Sequence, residues 1–301
     1  MAEGINVWRT VSITDVDHGP IVGIDFGTSN SAIAVWHYAK NRVKVMRNVV
    51  TKQRTTPSTI LFDQNEVKIG ITPEDTPLHV VEGCKLFLGR ERSDGDMELE
   101  GHLGYQFNKI DDKICVCDVN SSRSMSVEEA AARIMSELKA SAELYLQRRP
   151  TAWLGTDNDL IRKGTKPWDG VLRRVVVGIP ANHTERKKEA TRRAAMLAGF
   201  SEVHLMVESS AAAMAYGLLA VGKKHVLVVD MGCGTLDCTV MHIDEGTFRV
   251  LATAGTGANP GTGSGCGGRR IDQLVLSHVL NKLNIGDDFY SLLLLLLLFL
   301  L

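Results

Sequence analysis

Ile21-Val-Gly-Ile-Asp-Phe-Gly-Thr-Ser-Asn30 and His225-Val-Leu-Val-Val-Asp-Met-Gly-Cys-Gly-Thr-Leu-Asp237 are the two stretches whose reading decides the fold. In each, an aliphatic run ends in Asp-x-Gly, and two further β-rich segments follow across short turns. After the first copy come Ala32 to Tyr38, a turn at Lys40-Asn41 and Val43 to Met46. After the second come Cys238 to Ile243, a turn at Asp244-Glu245-Gly246 and Phe248 to Ala252. Asp25 and Asp230 hold equivalent places 205 positions apart, which predicts an α/β chain with a duplicated three-stranded meander heading each of two similar lobes.

The chemistry follows from that placement. A buried strand ending in Asp-x-Gly delivers a carboxylate at the sheet edge, and the glycine lets the backbone turn its N–H groups toward an anion. Thr28, Ser29 and Asn30 on one side, and Cys233, Gly234 and Thr235 on the other, offer amides and hydroxyls to phosphate oxygens. An aspartate beside phosphates repels them unless a cation intervenes. A hydrated Mg²⁺ held by Asp25 and Asp230 removes the repulsion, because this ion keeps several waters and needs only one or two carboxylates. One Asp-x-Gly alone reads as well as a tight turn after a strand. Two copies in matched context favour a phosphate clamp.

Outward from the hairpins, Ser126-Val-Glu-Glu129 is a capping box for a helix running to about Arg148, with Val127, Ala131, Ile134, Leu138, Ala142 and Tyr145 on its core face. Arg173 to Ile179 reads as a strand ending at Pro180, and Thr184 opens a second helix that Gly199 closes. A short strand, Val203 to Val207, delivers Glu208 to the start of an alanine-rich helix over 209–219. Residues 150–170 break every periodicity and read as an insertion, and residues 1–20 as a flexible leader. The stretch from Gly255 to Gly268 has seven glycines in fourteen residues but lacks the lysine-serine ending of a P-loop, and reads as a further insertion. Residues 286–301 close on a leucine-rich, low-complexity tail. Its ten terminal apolar residues reach about 15 Å as a helix, roughly half a bilayer core.

Composition sets the outer bounds. With 34 basic against 35 acidic residues and 44% hydrophobic ones, the chain of 301 residues is that of a globular protein, with no charge excess to suggest a nucleic-acid or membrane partner. The six cysteines lack paired zinc-site spacing, which favours reduced thiols and a cytoplasmic location.

Four linked motifs carry a resemblance: Val22 to Asn30, Val177-Gly-Ile-Pro-Ala181, Val207-Glu-Ser-Ser-Ala-Ala-Ala-Met-Ala-Tyr-Gly217 and Val228 to Asp237. In order and spacing they resemble the heat shock protein 70 family, over about residues 21–285. The resemblance implies an actin-like ATPase fold with duplicated, ribonuclease-H-like mixed-sheet lobes, here 21–207 and a partial second lobe over 208–285. It also implies ATP or ADP with Mg²⁺ and K⁺, and a chaperone cycle involving co-chaperones and unfolded clients. Carried over where motifs match, Asp25 and Asp230 coordinate the Mg²⁺ water shell, and Glu208 and Asp237 order waters at the γ-phosphate. Gly27, Thr28, Ser29 and Asn30 line the first phosphate loop, and Gly232, Cys233, Gly234 and Thr235 the second. Pro180 and Arg186 match an interlobe relay.

Several departures accompany the match. The family's lysine in the loop after Ile-Gly is not found where Ile69-Gly70 runs into Ile-Thr-Pro-Glu-Asp, and neither Lys68 nor Lys85 fits that motif, so the expectation is a cleft without that lysine. Cys233 stands where the family has glycine, and Glu208 is followed by serine instead of proline. The family's adenine-gripping part, linker and peptide-binding domain have no counterpart after about residue 285. Two readings follow: an ATP-dependent chaperone-type ATPase, or a truncated, catalytically impaired relative acting as a binding or regulatory module.

Overall fold

A computed structural model describes residues 19–37, 40, 42–63, 66–71, 80–90, 106–110, 113–117, 123–149, 168–216, 222–255 and 267–283. The expected leader (apart from 19–20), most of the 150–170 insertion, most of the glycine-rich stretch and the leucine-rich tail lie outside the described residues.

Within them, the first meander forms as its alternation demands. Strands β1 (Ile21–Asp25), β2 (Asn30–His37) and β3 (Arg42–Val45) pair antiparallel in sequence. β11 (Arg174–Ile179) and β12 (Glu202–Val207) then add in parallel on the other side of β1, giving the order β12-β11-β1-β2-β3, with the two-residue β4 (Thr56–Pro57) paired to β2. Side chains alternate along β1, so Val22, Ile24 and the following Phe26 share one face and are all buried, while Ile21 and Gly23 on the other face are half-buried and Asp25 is exposed.

Two small antiparallel sheets flank this one. β5 (Ile60–Asp63) sits between β6 (Glu66–Ile69) and β7 (Val80–Val81), and β9 (Lys113–Cys117) between β8 (Gln106–Ile110) and β10 (Ser124–Ser126). Between them runs α1, a single turn over Cys84–Phe87, entered through Gly83 in the left-handed region at φ 72°.

The helices cover the large sheet. α2 (Val127–Arg148) begins at the expected capping box: the Glu129 amide donates to Ser126 Oγ at 3.2 Å, and the Ser126 amide donates to Glu129 Oε2 at 2.8 Å. Its core face, Val127, Ala131, Ile134, Leu138 and Ala142 with Leu146, is buried, whereas Tyr145 is only half-buried at its margin. At about 1.5–3 kcal/mol per large apolar side chain, this stripe is a principal source of stability. α3 (Glu185–Leu197) starts on Thr184, whose side chain accepts from the Lys187 amide, and ends at Gly199 with φ 87°. α4 (Glu208–Ala215) follows β12 directly, so Glu208 is its first residue, one turn position earlier than the sequence suggests.

The second meander repeats the first in order. β13 (Lys224–Met231), β14 (Leu236–Asp244) and β15 (Thr247–Gly255) pair antiparallel, and α5 (Gly268–Lys282) follows. Register repeats too: Asp25 lies opposite Ala32, and Asp230 opposite Asp237. Among the described residues the core is far smaller here, with Ala213, Met241, Ile243 and Phe248 buried together, while Leu227 and Val229 on β13 and Leu274 and Val275 on α5 are exposed. No described helix is long and apolar enough to cross a membrane.

The cap of α2 gives a direct test. Ser126→Ala removes an acceptor that an orphan amide uses, so unfolding by urea should show stability lowered by about 1 kcal/mol, with Ser126→Asp close to the parent.

Candidate functional site

At the end of β1, buried Phe26 holds the chain in the core while Asp25 stays accessible, so the backbone must turn at Gly27. The turn is too tight for a side chain, since a Cβ there would run into the carbonyl of Asn30. Serines brace it: the Gly27 amide donates to Ser31 Oγ at 3.2 Å, Ser58 Oγ donates to the Gly27 carbonyl at 2.8 Å, and the Ser58 amide donates to the Ser29 carbonyl at 2.7 Å. Thr28 and Ser29 are half-buried and Asn30 exposed, so the loop presents itself outward on a fixed base.

The second loop is built differently. The Gly232 amide donates to the Thr235 carbonyl at 2.8 Å, and the start of α5 closes over it, with the Gly268 amide donating to the Gly232 carbonyl at 3.0 Å and the Arg269 amide to the Cys233 carbonyl at 2.9 Å. Gly267 permits that approach, because a Cβ there would lie 2.7 Å from the Gly234 carbonyl carbon. The Cys233 side chain is half-buried without displacing the turn.

The two loops meet. A Cβ on Gly234 would stand 3.5 Å from Thr28 Oγ1 and 3.4 Å from Leu86 Cδ2 of α1, which is ordinary contact distance. Glu208 arrives from a third direction. β12 runs parallel to β11 with Val207 opposite Ile179, and Gly178 leaves room for the carboxylate arm, a Cβ there falling 3.1 Å from Glu208 Cγ.

At the centre lies a residue that the sequence reading set aside. Lys85 Nζ donates to Glu208 Oε1 at 2.8 Å, with the two side chains only 15% and 21% exposed. Lys85 is expected to stand outside the motif after Ile69-Gly70, and it does come from beyond that loop, yet α1 places its ammonium on Glu208. The available signal was a lone charge in the glycine-bounded apolar run from Gly83 to Gly89. Lys68, by contrast, is exposed on β6 opposite Leu61. Residues 72–79, which include most of that loop, lie outside the described residues.

Electrostatics tie the cluster together. Burial pushes the Glu208 carboxyl above its ordinary value, with Lys85 opposing and Asp25 and Asp230 adding to the rise. Asp25 is raised by desolvation and by Asp230 and lowered by Lys85, and Asp237 is raised by desolvation and Asp230 while its bond to Thr235 and the charge of Lys85 pull it down. His183, at the start of α3, is held neutral, its value lowered to about 3 by burial and by Lys85, Lys187 and Lys188. The four acidic residues thus sense one another or Lys85, from opposite halves of the molecule. Pro180 ends β11 and accepts the His183 amide at 3.2 Å, and Arg186 is exposed in the first turn of α3.

The donor set suits a hydrated divalent cation. Asp25 and Asp230 are hard oxygen donors whose mutual repulsion a cation would relieve, and among the described residues no group of three His, Cys, Asp or Glu is placed to hold a bare ion. Apart from metal, the cluster is a store of like charge, and its pH dependence has a definite sign. A carboxyl whose folded value is raised stabilises the fold fully below its unfolded value, and that contribution is lost as pH rises through the folded value. For ligand-free protein at neutral pH, Asp25→Asn should therefore unfold at a higher temperature than the parent. The difference should shrink as pH falls toward the ordinary carboxylate range. Thermal unfolding across a pH series checks this, and a variant less stable at pH 7 would contradict it.

Known proteins share this arrangement of segments. A family model described as Hsp70 protein matches residues 21–152 and 163–289. Among curated relatives, the chain is 31% identical over 274 residues to heat shock cognate 70 kDa protein 3 of Dictyostelium discoideum, covering 87% of this chain and 38% of that one. It is 28% identical over 274 residues to heat shock 70 kDa protein 2 of Paracoccidioides lutzii, covering 87% and 37%. To the putative heat shock 70 kDa protein 7 of Homo sapiens it is 28% identical over 271 residues, covering 87% and 65%. The chain thus spans somewhat over a third of the length of the first two and under two thirds of the third. Since the matched segments take in both Asp-x-Gly hairpins and the helices between them, the chain belongs to the heat shock protein 70 family.

Proposed function

We propose that the chain binds ATP with a hydrated Mg²⁺ and K⁺ between its two Asp-x-Gly loops and hydrolyses it, as the nucleotide-driven part of a chaperone cycle. The observation that carries this reading is the Lys85–Glu208 pair, set beside Asp25, Asp230 and Asp237 where the two loops touch.

Each residue then has a physical task. Backbone amides and hydroxyls of Gly27, Thr28, Ser29 and Asn30, and of Gly232, Cys233, Gly234 and Thr235, hold phosphate oxygens. Asp25 and Asp230 hold the water shell of the cation, which when bound screens the charge of the phosphates. Glu208, with its value raised by burial, accepts a proton from the attacking water more readily than an ordinary carboxylate. Asp237, held by Thr235, orients that water, and Lys85 offers its ammonium to the terminal phosphate while fixing Glu208.

The finer architecture belongs to the same proposal. The order β3-β2-β1-β11-β12 and the repeated meander support two ribonuclease-H-like lobes of an actin-like ATPase. Gly178 touches Glu208 two residues before Pro180, and Gly89 at the end of α1 abuts the backbone of Arg186 and Lys187, which supports a relay through Pro180 and Arg186. ADP as product, co-chaperones and unfolded polypeptides as partners, and a cytoplasmic location complete the reading. A second reading, as a binding or regulatory module without turnover, draws on the exposed apolar residues of β13, β15 and α5.

Phosphate release from Mg²⁺-ATP separates the two. Lys85→Met and Glu208→Gln should each lower the single-turnover rate about 10²–10³-fold, the scale for losing one preorganised electrostatic partner, while nucleotide affinity changes far less. Turnover unaffected by both changes would remove these roles, and no binding of millimolar ATP to the parent chain would end the ATPase reading.

A further inference from the structure

Arg269 and Glu82 join the two walls of the cleft. Arg269 Nη2 donates to Glu82 Oε2 at 2.7 Å, and both side chains are 28% exposed, partly shielded from solvent. Each residue is attached to site machinery. Glu82 stands three positions before Lys85, and Gly83 and Cys84 between them are buried, so displacement of Glu82 carries α1 with it. Arg269 donates its own amide to the Cys233 carbonyl, so its backbone is part of the second phosphate loop. Leu86 of the same helix meets Gly234, making a second, apolar contact between the same two segments.

Lys85–Glu208 likewise joins α1 to the start of α4, whereas pairs such as Lys139–Glu143, Arg193–Glu128 and Lys223–Asp244 stay within one half of the molecule. Among the described residues the core behind β13–β15 is small, and α5 buries Leu280 alone. A charged contact at the rim of a cleft with so little apolar support has a disproportionate effect on how often it opens.

We infer that Glu82 and Arg269 are positioning residues that clasp the Lys85 helix against the second phosphate loop, and so set how long a nucleoside di- or triphosphate stays bound. The inference rests on the proposed nucleotide site, since a clasp retains nothing where nothing binds. Neither side chain takes part in the chemistry. Opening the clasp leaves the phosphate-facing amides present but separates them from Lys85. Because the pair is partly exposed, salt weakens it, so release quickens with ionic strength.

The test uses the full chain in two arms. Without nucleotide, maleimide labelling of Cys233, read by peptide mass spectrometry, reports opening of the loop. Glu82→Gln and Arg269→Gln should each quicken labelling severalfold, and the exchanged pair Glu82→Arg with Arg269→Glu should return it most of the way. With a fluorescent ADP analogue and Mg²⁺, dissociation should accelerate about five- to tenfold in each single variant and recover in the exchanged one, with melting temperatures little altered. Unchanged labelling and unchanged release in the single variants overturn the clasp and leave the nucleotide site standing. Release that quickens without rescue by the exchanged pair overturns it as well, pointing to loss of local structure. A parent chain that binds no analogue overturns the nucleotide site and the retention role together.

Discussion

One ammonium group among carboxylates governs the molecule. Lys85 lowers the cost of ionising Asp25, Glu208 and Asp237, all of which burial and the charge of Asp230 push upward. A lone cation cannot neutralise four acids, so the ligand-free cleft holds excess negative charge. That excess is a bias toward cation binding, and the carboxylates that would draw in a hydrated metal are also those that weaken the unliganded fold. His183 bears on the same balance. Held neutral beside Lys85, it adds no second positive charge that would reduce the demand for a cation.

Concentrating those groups requires backbone to approach backbone, and glycine makes the approach possible. At Gly27 the chain reverses within the reach of Asn30, at Gly178 it makes room for Glu208, and at Gly267 it lets α5 press onto Cys233 and Gly234. These three positions lie on three separate segments, so no single loop is the site. It exists only where the end of β1, β11 and the start of α5 converge on the loop after β13, and the sheet order β12-β11-β1-β2-β3 fixes two of those segments.

How legible this was in the sequence differs from residue to residue. The strand at Arg174–Ile179, the helix capped by Ser126 and the helix opened by Thr184 could be read because each is settled locally, by apolar periodicity and by a side chain that meets an amide three residues on. The duplicated hairpins could be read because repetition supplies its own control. Lys85 escaped because its role is not local. Its partner Glu208 is 123 residues away, and nothing in the run Gly83 to Gly89 foretells that a single helical turn will point one charge into the cleft. The Glu82–Arg269 pair, 187 residues apart, was hidden for the same reason. Motif matching looked for a lysine after Ile-Gly, whereas space is indifferent to which loop delivers the charge.

The two walls of the cleft also differ in how they are held, and the difference follows from burial. β1 and β11 are backed by a continuous core in which α2 alone contributes Ile134, Met135, Leu138 and Leu146, each worth about 1.5–3 kcal/mol when buried. Among the described residues β13 is backed by the smaller cluster of Ala213, Met241, Ile243 and Phe248, and its residues Leu227 and Val229 are exposed. Among the described residues the β13–β15 meander and α5 form the less anchored wall, and a weakly packed part opens at lower free-energy cost than a well-packed one. Lys85 belongs to the better-packed wall and the loop Gly232 to Thr235 to the other. A ligand that touches both is held by an alignment that the stronger wall dictates and the weaker wall can leave.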